Sequence, residues 1–254
     1  MKFTRSIIIF SFLTINNSIF AQSIITDRPD QTESSSTIFK GSLQLESGIL
    51  FGSAKDDGFS EEILLAPTVL WRYGITNDIE LRLLTEFASV NDKIANKKVS
   101  GITDLQVGTK IQILKKEGVN AEIAFLSHAI IPTAKDELSL NELGTINKLS
   151  ISHSLSESVG LGYNVGYDYY GFGNGNLTYS IAVGFGISDK IGFYAEPYGS
   201  LIDIETHEAS FDAGFTYLVN DNSQLVISYG TGINHTMNYI SVGYSLNIAK
   251  TPKD

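Results

Sequence analysis

The sequence predicts an all-β protein, a transmembrane antiparallel β-barrel of about twelve strands behind an N-terminal signal peptide. Three observations predict it. Residues 1–21 have the layout of an export signal. Twelve later segments, each about ten to fourteen residues long, alternate apolar with polar or tiny residues, the period-2 pattern of strands with one face in lipid. Beyond the signal no apolar run approaches the roughly 20 residues of a spanning helix, so any insertion must be by strands.

The signal comes first. Lys2 and Arg5 precede the apolar run Ile7–Leu13, and Ser18-Ile19-Phe20-Ala21 supplies small residues for cleavage after Ala21. Asn16 and Asn17 interrupt the run, which is too short for a membrane anchor. Cleavage leaves 233 residues with 16 basic and 28 acidic side chains, a formal charge of −12. A chain this acidic has no attraction for phosphate backbones, which excludes nucleic acid as a partner. The chain has no cysteine, and therefore no disulfide framework, thiolate metal site or lipidated N-terminus.

Residues 22–40 are rich in Ser, Thr and Asp and lack periodicity, which marks a periplasmic tail or a small plug. Strands are predicted at 42–52, 61–73, 79–90, 101–114, 119–131, 145–155, 159–170, 176–187, 191–203, 208–219, 224–233 and 238–248. The clearest is 159–169, where Val159, Leu161, Tyr163, Val165, Tyr167 and Tyr169 alternate with Gly160, Gly162, Asn164, Gly166 and Asp168. Every second connection is compact and carries turn residues: 74–78, 115–118, 156–158, 188–190 and 220–223. The others include the longer stretches 91–99 and 132–144, although 234–236 is short. By the usual asymmetry of outer-membrane barrels the compact set is periplasmic. The organisation expected is signal peptide 1–21, N-terminal segment 22–40, barrel 41–249 and tail 250–254.

A soluble β-sandwich also alternates, but its strands are nearer five or six residues and its apolar face is inside. Here the non-apolar face carries Gly, Ser, Thr, Asn and charge, as in Thr178, Ser180, Ala182, Gly184 and Gly186. That composition suits a polar lumen. Outward aromatics fall toward strand ends: Trp71, Tyr73, Phe193 and Tyr217 at one, Phe51, Phe87, Tyr169 and Tyr179 at the other. They are expected to form interfacial girdles. Tyr194, Tyr198, Leu64, Leu70 and Leu126 are inward by parity and either line a path or fill it.

Parity also orders the lumenal charge. Arg72 is expected to face Glu80, and Lys110 to face Glu122, across hairpins. Arg72, Arg82 and Lys110 lie on the earlier wall, while Asp168, Glu196 and Asp212 lie on later strands with no evident basic neighbour. These six are the candidates for a selectivity element, against the plainer expectation that they only keep the interior solvated.

Catalysis finds little support. His128, His153, His207 and His235 lie in separate segments without metal-ligand spacing, and no metal or organic cofactor is expected. A twelve-stranded lipid hydrolase needs Ser and His together on the outer wall. The pairs Ser127-His128 and His153-Ser154 are adjacent in sequence, which puts their members on opposite faces. Residues 171–175, Gly-Phe-Gly-Asn-Gly, are not followed by a helix and read as a loop rather than a phosphate cradle.

The stretch 26–34, Thr-Asp-Arg-Pro-Asp-Gln-Thr-Glu-Ser, followed by Lys-Gly-Ser-Leu-Gln-Leu-Glu-Ser-Gly at 40–48, resembles the opening of outer-membrane transporter proteins of the MetA-pathway phenol-degradation family. The resemblance continues as repeated hairpins over most of the chain. It implies a β-barrel in the outer membrane and passive passage of small aromatic or hydrophobic solutes. A closed structural or adhesive barrel is the alternative. It further implies that outer-membrane lipid and the barrel assembly machinery are partners. One departure is that the last strand is followed by residues 249–254, where barrels of this class end on an aromatic used in assembly. In the opening motif, Pro29 stiffens the backbone, and Arg28 is expected to sit between the carboxylates of Asp27 and Asp30.

Overall fold

The protein was described from a computed structural model, which covers residues 24–28, 31–116 and 121–248. The predicted signal peptide, Pro29, Asp30, the turn 117–120 and the C-terminal tail lie outside the described residues.

Thirteen strands follow in order: β1 Leu43–Asp56, β2 Phe59–Gly74, β3 Ile79–Asp92, β4 Lys97–Ile102, β5 Leu105–Lys116, β6 Ala121–Ile131, β7 Gly144–Ser154, β8 Val159–Tyr169, β9 Asn176–Gly186, β10 Ile191–Ile202, β11 Thr206–Asn220, β12 Ser223–Gly232 and β13 Thr236–Ile248. Every pairing among these strands is antiparallel, and β1 pairs with both β2 and β13, which closes the sheet on itself. β4 and β5 share one edge of β3: β4 runs beside Phe87–Asp92 and β5 beside Ile79–Leu84. The barrel therefore has twelve strand positions.

The predicted strand 101–114 is thus two pieces, interrupted at Thr103 and Asp104. Asp104 leaves the ladder because its carboxylate accepts the N–H groups of Thr133, Ala134 and Leu140 (3.0, 3.0 and 2.7 Å) and the Ser139 hydroxyl (3.0 Å). Burial pushes the Asp104 carboxyl up, but these four donors outweigh it and hold the group below its ordinary value. They also pin the long loop, with its 3-10 turn Asp136–Leu138, against β4.

The distribution of polarity is inverted relative to a soluble protein. Gln44, Glu46, Arg72, Glu80, Arg82, Lys110, Glu196 and Asp212 are fully buried, whereas Ile49, Val107, Val165, Ile181, Phe215 and Val242 are exposed. Each strand places one set inside and the other outside because side chains alternate along it. Exposed apolar surface costs roughly 25 cal/mol per Å² in water, so an all-round apolar wall is stable only against lipid. At the compact-turn end the rings of Phe185, Phe193 and Phe215 pack in a row at 6.2 and 5.2 Å on neighbouring strands, the arrangement expected of a girdle.

Besides an extra residue at Val219 near the end of β11, two bulges inside strands reset the alternation. β2 gains one residue at Ala66–Pro67 relative to both neighbours, a place where a proline without an N–H costs the ladder nothing. Leu64 then lies opposite exposed Phe51 and points outward, contrary to the parity expectation. The second bulge, at Ile113 in β5, places Lys115 rather than Leu114 opposite Glu122, and the ladder runs on to Lys116 and Ala121, past the turn expected at 115–118. Lys110 is instead in register with Glu80 on β3 and Leu126 on β6.

Candidate channel lumen

The segment before the first strand lies inside the barrel. It starts at the compact-turn end, where the Ile24 amide donates to the Asp221 carbonyl at 3.2 Å. It climbs to mid-lumen and returns to the same mouth, where the Thr37 hydroxyl donates to the Asn77 carbonyl at 2.7 Å and Lys40 bridges to Gly74. Gly74 is required there, since a Cβ would stand 2.1 Å from the Phe39 carbonyl oxygen.

The segment has no secondary structure of its own, so its amides need other acceptors. Wall carboxylates and an amide supply them. Glu46 accepts the N–H groups of Asp27 and Arg28 at 2.8 and 2.9 Å, and Glu196 accepts those of Gln31 and Thr32 at 2.9 and 2.5 Å. Glu80 accepts the Ile38 N–H at 2.9 Å. Asn164 accepts the Glu33 N–H at 2.7 Å and donates to the Glu33 carbonyl at 3.0 Å. Charge-assisted bonds of this kind are about twice as strong as neutral ones.

Asp27 is the centre of charge. Its Oδ2 lies 3.1 Å from Arg72 Nη1, 2.6 Å from Arg82 Nη1 and 2.6 Å from Lys110 Nζ, and its Oδ1 accepts the Ser34 N–H at 2.9 Å. Burial works against the charged form, but Arg72, Lys110 and Arg82 outweigh it and hold the Asp27 carboxyl well below the usual carboxylate range. Arg72 also pairs with Glu46 and Glu80, both at 2.9 Å, and Arg82 with Glu80 at 2.9 Å and Glu33 at 2.8 Å. The expected contact of Arg72 with Glu80 is present; that of Lys110 with Glu122 is not, because β5 and β6 stay paired as far as Lys116 and Ala121, which puts Glu122 opposite Lys115, 3.7 Å away, and Lys110 opposite Leu126.

Of the two carboxylates expected to flank Arg28, Asp30 lies outside the described residues and Asp27 turns to the wall. The Arg28 guanidinium donates to Thr68 Oγ1 at 3.2 Å and approaches Glu86 at 3.8 Å, because Asp27 is committed to the wall cations.

The later acids are brought only partly together. Glu196 and Asp212 are directly opposite in the β10–β11 register, and Asp212 accepts the Tyr239 hydroxyl. Asp168 stands apart on β8 and does have a basic neighbour, Lys148, within electrostatic reach. The signal for Lys148 was available, since it falls inward when its strand is set against Gly166. Glu46 was missed although it shares the inward parity of Gln44 and Gly48. No local pattern joins Glu33 or Tyr239 to the lumen.

Two cavities flank the segment. One of about 530 Å³ lies toward the long loops, with Lys148, Asp168, Ser180, Tyr198, Glu208 and Ser210 on its wall. The other, about 320 Å³, lies between the segment and β1, β2 and β13, beside Arg28, Glu46, Thr68 and Ser245. Gln31 and Lys148 border both. Inward Leu70, Leu126 and Tyr194 are buried and fill space, whereas Tyr198 lines the larger cavity.

A closed antiparallel barrel, apolar without and charged within, defines the class: this is a β-barrel of the outer-membrane type. The chain belongs to the family described as "Putative MetA-pathway of phenol degradation", which it matches over residues 26–249. No curated protein matches it in sequence. Among solved structures it is similar to an outer membrane channel from Pseudomonas putida F1, with a TM-score of 0.70 at 13% identity over 88% of this chain and 100% of that one. The beta domain of the Bordetella autotransporter BrkA gives 0.55 at 10% identity over 82% and 99%. The KdgM porin in complex with disordered oligogalacturonate gives 0.53 at 9% identity over 82% and 99%. At these identities the likeness is one of fold.

Proposed function

We propose that the protein is an outer-membrane channel for passive passage of small solutes, aromatic compounds among them. The observation that carries this reading is the pair of cavities, of mixed polar and apolar lining, that flank the lumenal segment and share Gln31 and Lys148 at their boundary. A twelve-stranded barrel is wide enough to pass solute when its interior is not filled by side chains. The family description and the outer membrane channel from Pseudomonas putida F1 support the same reading. Of the six lumenal charges, Asp168, which borders the larger cavity, is proposed to set ion preference, while Arg72, Arg82, Lys110 and Glu196 are engaged by the segment and Asp212 by Tyr239.

The reading is of a channel and not of a lipid hydrolase. His128 points into the lumen, where Arg82 Nε donates to it at 3.0 Å, while Ser127 bonds Asn147 at 2.8 Å. His153 stacks on Tyr163 instead. One observation favours a second reading, a barrel closed at rest: the segment 24–39 lies across the lumen. Purified, refolded protein in planar bilayers decides between them. Discrete conductance steps are expected of a channel; a silent bilayer at every potential would establish the closed barrel.

A further inference from the structure

We infer that Arg72, Arg82 and Lys110 form a carboxylate-binding site for solute, occupied in this conformation by Asp27 of the chain's own N-terminal segment. The inference deepens the channel reading and rests on it for its physiological meaning, but the site itself is tested without transport.

The three cations belong to the wall, on β2, β3 and β5, and all three converge on a single oxygen, Asp27 Oδ2, at 2.6 to 3.1 Å. Asp27 is the visitor, carried in by a segment that enters and leaves by one mouth. The charge count shows what its withdrawal leaves. With the segment in place, three cations meet four carboxylates: Glu46 and Glu80 from the wall, Asp27 and Glu33 from the segment. With the segment withdrawn, three cations meet two. A buried excess of positive charge is costly unless an anion replaces Asp27. Two of the cations are guanidiniums, whose forked donors match a carboxylate.

The surroundings narrow the class of anion. Leu70 and Leu84 face each other across β2 and β3 one inward step from Arg72 and Arg82, and Leu126 lies opposite Lys110 on β6. All three are buried. A charged end against Arg82 and Lys110 and an apolar body against these leucines describes an aromatic carboxylate better than a sugar acid or a hydrocarbon. Such a solute competes with Asp27, and its binding frees the segment.

The chain's lack of cysteine makes the test direct. Ser35 lies on the returning arm and is buried, so a full-length Ser35→Cys protein exposes its thiol only when the segment leaves. In detergent micelles, benzoate at ten times its dissociation constant should raise the rate of labelling by a water-soluble maleimide about tenfold over sodium chloride of equal ionic strength, since a competitor scales the released population by 1 + [L]/Kd. Neutral phenol should leave the rate unchanged. The benzoate response should vanish in Ser35→Cys/Lys110→Gln, and benzoate binding by calorimetry to the Ser35→Cys protein gives the same answer if that double variant does not fold. Equal rates in benzoate and chloride, or equal acceleration by phenol, would overturn the inference. A labelling response with silent bilayers leaves the site standing and removes the channel; conductance without a labelling response does the reverse.

Discussion

At the scale of single residues, the two neighbours Asp27 and Arg28 are predicted to differ sharply in what they contribute. Asp27 is buried among three cations, and removing one member of such a cluster leaves uncompensated buried charge at a cost of about 3–5 kcal/mol. Arg28 is partly exposed and 3.8 Å from Glu86, a pair worth about 0–1 kcal/mol. Asp27→Asn should therefore lower the urea midpoint of the refolded barrel well beyond Arg28→Gln, and equal midpoints would remove the central role given to Asp27. The pH dependence has a defined sign. The Asp27 carboxyl is depressed in the folded protein, so its contribution is fully present above its ordinary value near 3.8 and is lost as pH falls through the lowered value. The difference in urea midpoint between the parent protein and Asp27→Asn should hold from neutral pH down to about 4 and shrink only below it.

At the scale of elements, glycines that face bulky inward side chains set the wall geometry. Gly108 lies opposite His128, and a Cβ there would stand 2.0 Å from the His128 ring and 2.3 Å from the Ser127 carbonyl oxygen. Gly108→Val should displace the ring from its 3.0 Å bond with Arg82 and cost about 1–3 kcal/mol of overpacking. Gly184→Ala is the control, since nothing lies within 4 Å of its Cβ position. If both variants unfold at the same urea concentration, the packing argument for Gly108 fails. The strands themselves were legible: the alternation that predicts a strand over 159–170 gives β8 to within one residue, because lipid and lumen impose opposite polarity on successive positions. The bulges at Ala66–Pro67 and Ile113 were not, since a single extra residue leaves the composition intact while turning every later side chain over. That is why Leu64 turns outward; Lys110 misses Glu122 for another reason, since β5 and β6 pair as far as Lys116 and Ala121, beyond the turn expected at 115–118. The choice between tail and plug for the N-terminal segment was illegible for a different reason: Gln31 and Thr32 find their acceptor, Glu196, 165 and 164 residues away, and nothing local encodes such a contact.

At the scale of the whole molecule, the two arcs of charge do different work. The cations Arg72, Arg82 and Lys110 are neutralised by the segment, and Glu196 is committed to the segment's amides, so neither reports freely to a passing ion. Of the three later acids Asp168, Glu196 and Asp212, Asp168 is the one that borders the larger cavity, with one oxygen lacking a partner among the described residues. One charge acting across about 5 Å of water contributes roughly 0.8 kcal/mol, which is about a fourfold bias in local ion concentration. Asp168→Asn should therefore shift the zero-current potential in a salt gradient toward anion preference by about that ratio, with labelling at Ser35→Cys unchanged. Glu196→Gln should do the opposite in kind: it weakens the hold on Gln31 and Thr32, so conductance and labelling should rise together. An unchanged zero-current potential in Asp168→Asn would show that ion preference is set elsewhere. A rise in labelling for Asp168→Asn equal to that for Glu196→Gln would show instead that the acids act as one anchor for the segment, and the division of labour between the two sides of the lumen would then be lost.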